Sequence, residues 1–145
     1  MIQFIRLDSP VLMPTKVHYW DAGIDLRSSE NAEIAPGETK LIDTGVAVKI
    51  TAGYFGLVVP RSSQGKIGIS LANTVGIIDS DYRGNIKLMI KNNGTEVYKI
   101  TRADTRIGQL ITLAHSSSIQ PLIFCGTDSE WNDTARGTGG FGSTG

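Results

Sequence analysis

The sequence predicts an all-β fold, a sandwich or barrel. Three observations carry that expectation. Short segments rich in Ile, Val and Leu, or alternating in polarity, recur along the chain. Gly-, Asn- and Pro-containing turns such as APGE, TAGY and KNNGTE bound them. No window of ten or more residues carries an apolar stripe at i, i+3, i+4, i+7.

In chain order, the expected strands are IQFIRL (2–7), TGVAVKI (44–50), GYFGLVVP (53–60), GNIKLMIKN (84–92) and RIGQLITLAH (106–115). Several short strands separated by Gly/Asn turns suit a sandwich or barrel. The only helix expected is a turn near Ser62 to Gly65. DAGIDL (21–26) sets Asp25 between Ile24 and Leu26. On a strand its side chain points opposite to both neighbours, as a solvent-facing or turn-capping acid would.

The bulk numbers bound the function. The 145 residues suit one domain with a real core. Lys plus Arg number 14 and Asp plus Glu number 14, so net charge is zero. That balance argues against a non-specific nucleic-acid binder, and any anionic ligand must be held by a few placed groups. Cys125 is the only cysteine, so no intrachain disulfide or cysteine metal cluster is expected. The start, MIQFIRLDSP, lacks the apolar run of a signal peptide. No run approaches the roughly 18 apolar residues of a membrane span. A cytoplasmic protein, or one of the host cytoplasm if viral, is expected.

Residues 127–145, TDSEWNDTARGTGGFGSTG, read differently from residues 1–126. Five of the last nine residues are glycine, which predicts a flexible arm. Arg136 and Phe141 stand out in it, as one guanidinium and one ring able to close over a ligand with an anionic end and a flat end. GTGGFG (137–142) matches G-x-G-x-x-G in letters, but no helix follows, so a dinucleotide fingerprint is rejected.

Four further features bear on chemistry. PRSSQGK (60–66) follows an expected strand and offers Arg61, two hydroxyls and several turn amides. GIIDSDYRG (76–84) runs from Ile77 and Ile78 straight into Asp79, Asp81, Tyr82 and Arg83. His18 and His115 have no partner at metal or triad spacing, and Ser62 has no base within its own motif. Each signal is ordinary alone, and their order along the chain is more informative.

AGIDL, PRSSQGK, NTVGIIDSDYRG, RIGQL and RGTGGFGSTG occur in that order from residue 22 to residue 145. As a set they resemble the five ordered motifs of the trimeric deoxyuridine triphosphatase (dUTP pyrophosphatase) family. The second departs from the family's frequent Gly-Leu-Ala, since this chain has Ser63-Gln64-Gly65. The resemblance implies a β-jelly roll core over 1–126, with the arm 127–145 closing over the site. It implies homotrimers whose three sites lie at subunit interfaces, each built by all three chains. It also implies hydrolysis of dUTP to dUMP and pyrophosphate, with dUMP supplied for thymidylate synthesis.

The same resemblance distributes roles. Asp79 matches the carboxylate that holds and deprotonates the attacking water, while Asp81 is read as structural, paired with a cation or turn amide. Tyr82 matches the ring that packs on the deoxyribose and excludes a 2′-hydroxyl. A hairpin from Asn73 to Lys87 would hold uracil, through Asn73 and the backbone of Ile77, Ile78 and Lys87. Arg61, Ser62 and Ser63 match the loop at the α- and β-phosphates, and Gln109 a phosphate-side residue. Arg136, Ser143 and Thr144, next to Gly142, would clamp the γ-phosphate while Phe141 covers the base. Mg²⁺ would arrive on the phosphates, with Asp25 reaching it through waters.

Two other readings compete. A deoxycytidine triphosphate deaminase of similar fold would need an acid at the pyrimidine ring, usually glutamate, yet no Glu lies between Glu38 and Glu96. A nucleotide-binding regulator that contacts a protein partner through the same scaffold would need no intact catalytic set.

Overall fold

The computed structural model describes residues 1–116. The expected arm 127–145 therefore lies outside the described residues. Eleven strands and one short helix make up this part: β1 (Ile2–Leu7), β2 (Ile24–Arg27), β3 (Ala32–Ile34), β4 (Thr39–Asp43), β5 (Val46–Ile50), β6 (Tyr54–Val59), α1 (Ser62–Lys66), β7 (Ile69–Leu71), β8 (Gly76–Ile78), β9 (Lys87–Asn92), β10 (Tyr98–Ile100) and β11 (Arg106–Ala114). A 3-10 turn covers Pro10–Leu12. The five expected strands are present, and α1 stands where a helical turn was expected.

The strands form four antiparallel groups, ordered β1-β5, β10-β3, β2-β11-β6-β8 and β4-β9-β7. Their inward faces are almost purely aliphatic. Leu26, Ile34, Val46, Ile86, Ile90, Ile107 and Leu110 are almost wholly buried, joined by Ile42, Val48, Val58, Ile69, Leu88 and Ile100. Strand β9 shows the cause: Leu88 and Ile90 face inward while Lys87, Met89 and Lys91 face out, the period-two pattern of a half-buried strand. β-branched side chains suit this pleated surface.

One expectation changes here. Residues 73–87 do not form a self-paired hairpin. β8 pairs with β6, as Leu57 opposite Ile77, whereas β9 pairs with β4 and β7. The flanking strands do pair, β7 antiparallel to β9 with Leu71 opposite Ile90 and the Ala72 amide on the Met89 carbonyl, so residues 73–86 close that pair as a long excursion in which β8 adds to β6.

The buried polar residues Asp25, Ser28, Thr44, Gln64 and Asn92 are paired, while the buried Thr51 hydroxyl has no partner among the described residues. Asn92 donates to the carbonyls of Ile34 and Glu96, both at 2.8 Å, and accepts from the Gly94 amide. The Thr44 hydroxyl donates to the Ile86 carbonyl at 2.8 Å. The Thr44 bond ties the turn before β5 to the residue that precedes β9. Leaving such a group unpaired would cost about 1–3 kcal/mol.

Gly68, just past the C-cap Ile67 of α1, has φ +77°. A Cβ there would meet the Gly94 nitrogen at 2.8 Å, and a Cβ on Gly94 would meet the Ile67 carbonyl at 2.8 Å. Two backbones thus touch through glycine, fixing α1 against the turn after β9. Gly68→Ala should lower unfolding stability by at least about 1–2 kcal/mol, the cost of a side chain in the left-handed region. Chemical denaturation of wild type and variant measures this.

Candidate active site

Strand pairing builds the first cleft. β11 runs between β2 and β6, so Gln109 stands opposite Asp25 on one side and Val59 on the other. Directly opposed residues in an antiparallel pair share a face. The Asp25 backbone is fixed on its other edge by Thr15, whose carbonyl accepts the Asp25 amide at 2.8 Å. Just beyond Val59 the chain turns at Pro60 and Arg61 into α1.

Arg61, Ser62, Gln109 and Asp25 therefore line one cleft of about 260 Å³, with Thr15, Val17, Asp21, Ala22 and Gly23 as its other walls. Ser63 lies beside it, its hydroxyl 3.4 Å from Arg61 Nη1. The Gln109 amide donates to the Pro60 carbonyl at 3.3 Å, which directs its carbonyl oxygen toward Gly23.

Asp25 differs from the solvent-facing acid expected of an isolated strand residue. It is only 8% exposed. Its Oδ1 accepts from Arg61 Nε at 2.8 Å and its Oδ2 from Arg106 Nη1 at 3.1 Å. Both partners are distant in sequence. Arg106 had received no role, although it is the first letter of the RIGQL motif and the first residue of a strand.

Gln64, the departure in the second motif, is also buried, and it joins α1 to β11. Its Oε1 accepts the Arg61 amide at 2.8 Å and its Nε2 donates to the Ile107 carbonyl at 3.1 Å. Half-buried Tyr98 is nearby. Burial pushes its hydroxyl above the ordinary value, opposed in part by its bond to Gln64 and the charge of Arg61.

A second cleft of about 250 Å³ is lined by Ile77, Ile78, Asp79, Tyr82, Ile86 and Lys87. It shares no lining residue with the first. Tyr82 is set by local chemistry: its hydroxyl donates to the Asn85 carbonyl at 3.0 Å, and its ring lies against Gly84. A Cβ on Gly84 would come within 2.7 Å of Tyr82 Cζ. The connection is tied to β1, because Arg6 donates to Asn85 Oδ1 at 3.0 Å and Asn85 donates to Asp8 at 2.7 Å. Buried Ile86 closes it, bonding the Val46 carbonyl through its amide.

Asp79 is exposed in the isolated chain. The Asp79 carbonyl accepts the Tyr82 amide at 3.1 Å. Asp81 makes neither the ion pair nor the turn-amide bond expected of it among the described residues. Lys87 pairs instead with Asp43 at 3.4 Å. Asn73 sits in the turn between β7 and β8, outside the second cleft's lining. Arg136, Phe141, Gly142, Ser143 and Thr144 lie outside the described residues.

Residues 9–145 match the dUTPase family. The chain belongs to the dUTPase family. Among curated dUTPase relatives, it is 45% identical to the deoxyuridine 5′-triphosphate nucleotidohydrolase of Escherichia phage T5, with 97% of each chain covered. It is 41% identical to the enzyme of that name from Mycolicibacterium gilvum, covering 97% of this chain and 92% of that one. Among solved dUTPases, it resembles a Staphylococcus bacteriophage 80alpha mutant with dUpNHpp, at TM-score 0.79 and 27% identity, covering 100% and 98% of the two chains. It also resembles a mutant from phage phi11 of S. aureus described with a structural Mg(II) ion, at TM-score 0.75 and 27% identity, covering 85% and 96%. The dUTPase neighbours are jelly rolls, so the all-β expectation holds in that form.

In this dUTPase, Gln64→Ala should cost about 1–3 kcal/mol, because the buried Ile107 carbonyl and the Arg61 amide lose their partner. A thermal melt of the variant beside wild type checks it.

Proposed function

We propose that the chain hydrolyses dUTP to dUMP and pyrophosphate, with its phosphates in the Arg61–Ser62–Gln109 cleft and its nucleoside in the Asp79–Tyr82 cleft. The observation that carries this reading is the convergence of three distant motifs on one small polar cleft built around Asp25. The catalytic motif stands in another cleft of the same chain. One chain thus offers two half-sites, which supports the trimer typical of the family, in which each site draws on neighbouring chains.

In this reading Asp79 accepts a proton from the water that attacks the α-phosphorus. A positioned general base contributes about 10²–10⁴-fold. The attack breaks the bond between the α-phosphorus and the oxygen bridging to the β-phosphate, so pyrophosphate departs. Arg61, Ser62, Ser63 and Gln109 supply donors where that oxygen gains charge, and fixed donors lower the barrier without reorganising. Arg136, Ser143 and Thr144, with Gly142, complete the hold on the γ-phosphate, and Phe141 covers the base.

Tyr82, fixed by Asn85 and Gly84, packs against C2′ of the sugar and leaves no room for a hydroxyl. Main-chain groups of Ile77, Ile78 and Lys87, with Asn73, read the uracil edge. A cytoplasmic reaction, or one in a host's cytoplasm, fits this substrate and the dUMP it provides for thymidylate synthesis.

The donor set fits a Mg²⁺ ion that enters on the phosphates. No group of three or more His, Cys, Asp or Glu able to hold a metal exists among the described residues. Asp25 has lone pairs beyond its two arginine bonds and would face the ion's waters. Bound there, the ion would neutralise phosphate charge.

Product analysis with dUTP, dCTP, dTTP and UTP in the presence of Mg²⁺ tests the function. Release of dUMP and pyrophosphate from dUTP alone is expected, and ammonia from dCTP or no turnover at all contradicts it. Asp79→Asn should bind dUTP yet lose at least about 99% of turnover. Near-normal single-turnover rates would remove Asp79 from the base role. Tyr82→Ala should raise the ratio of UTP to dUTP cleavage, measured as kcat/KM for each.

A further inference from the structure

We propose that Arg106 is a charge-compensating positioning residue: it neutralises Asp25, so that Asp25 can orient Arg61 without cancelling its pull on an anion. The inference rests on the reading that the first cleft takes the substrate's phosphates.

The geometry of the triad leads to it. Asp25 holds Arg61 through Nε at 2.8 Å, which leaves the terminal nitrogens of Arg61 for other partners. One of them, Nη1, already reaches the Ser63 hydroxyl at 3.4 Å, on the side of the Ser62–Ser63 loop. An arginine anchored this way is oriented but electrically spent, since one carboxylate beside one guanidinium sums to zero. Close charges in a partly buried setting interact far more strongly than in water, so this cancellation would matter to a polyanion. Arg106 Nη1, 3.1 Å from the other carboxylate oxygen, returns the triad to a formal charge of +1.

Nearby charges do not supply the same compensation. Arg27, opposite Arg106 in the β2–β11 register, donates to the carbonyls of Ala103 and Asp104. Asp21, on the far wall, takes the amides of Val17 and His18, and Lys16 bonds its backbone carbonyl.

Backbone irregularity brings Arg106 into place. Arg106 and Gln109 are three residues apart, so a regular strand would send them to opposite faces. Between Arg106 and Gly108 the register with β2 shifts, because two steps on β11 match one on β2. The bulge restores Arg106 to the face of Asp25 and Gln109, while Ile107 is buried in the core. Bulges re-aim side chains in this way beside functional sites.

The test is calorimetric binding of inorganic pyrophosphate, in chelator without divalent ions, to wild type, Arg106→Gln, Asp25→Asn and the double variant. Arg106→Gln should bind about tenfold more weakly. The double variant has the wild-type triad charge and should return to within about threefold of wild type. Asp25→Asn alone should bind at least as tightly as wild type, and Arg106→Lys nearly as tightly. A merely structural Arg106 would leave the double variant as weak as Arg106→Gln, which overturns the proposal. So would unchanged binding by Arg106→Gln. If Arg106→Gln does not fold, weakened binding by Asp25→Asn or Arg106→Lys overturns it instead. Wild-type protein that shows this charge pattern yet leaves dUTP intact would overturn the proposed function and spare this assignment. Cleavage of dUTP without the pattern would do the reverse.

Discussion

Strand β11 bonds to β2 along one edge and to β6 along the other, and its register is the constraint on which the first cleft depends. Ile107 and Leu110 enter the core, while Gln109 faces Asp25 across the strand gap. A slip of one residue would exchange the two faces, placing an amide in the aliphatic core and a leucine in the polar cleft. The cost of burying that unpaired amide holds the register in place. Close packing sharpens it: a Cβ on Gly56 would meet Leu110 Cδ1 at 2.8 Å, and one on Gly108 would meet the Val59 carbonyl at 3.2 Å.

Polar side chains then convert this frame into positioned loops. Gln64 joins α1 to β11, Thr44 joins the turn before β5 to Ile86, and Asn92 joins β9 to β3 and to the turn after it. Each bridges segments far apart in sequence, and each sits where water cannot compete. Their energetic weight lies less in the bond formed than in the cost of an orphaned partner. The connection over residues 79–86 is held differently, through the more exposed Arg6–Asn85–Asp8 chain. Such surface bonds constrain less than the buried ones that hold α1.

Much of the fold was legible because alternation survives in long strands. GNIKLMIKN reads inward and outward letter by letter, and β9 obeys it. β3, β7 and β10 have only three residues each, too few for a period to emerge, and they stayed unread, as did the five-residue β4. Ser62 to Gly65 read as helical, and α1 runs one residue further. Asp25 misled as an isolated letter because its two arginines lie 36 and 81 positions away. Arg106 was hidden by the bulge, which strict alternation cannot anticipate. Within 73–87 the expected self-pairing is absent because β8 lies on β6, and the antiparallel pair that the segment closes is made by β7 and β9 on either side of it.

The aliphatic character of the core has a spectroscopic consequence. No aromatic ring among the described residues is fully buried, and Trp20 is 89% exposed, edge-on to Tyr19 at 4.8 Å. Loss of the core would therefore alter the surroundings of this indole very little. Trp20 stands on the loop that walls the first cleft, one residue before Asp21. Its emission is a poor gauge of folding and a well-placed reporter of whatever comes to rest on the rim of that cleft.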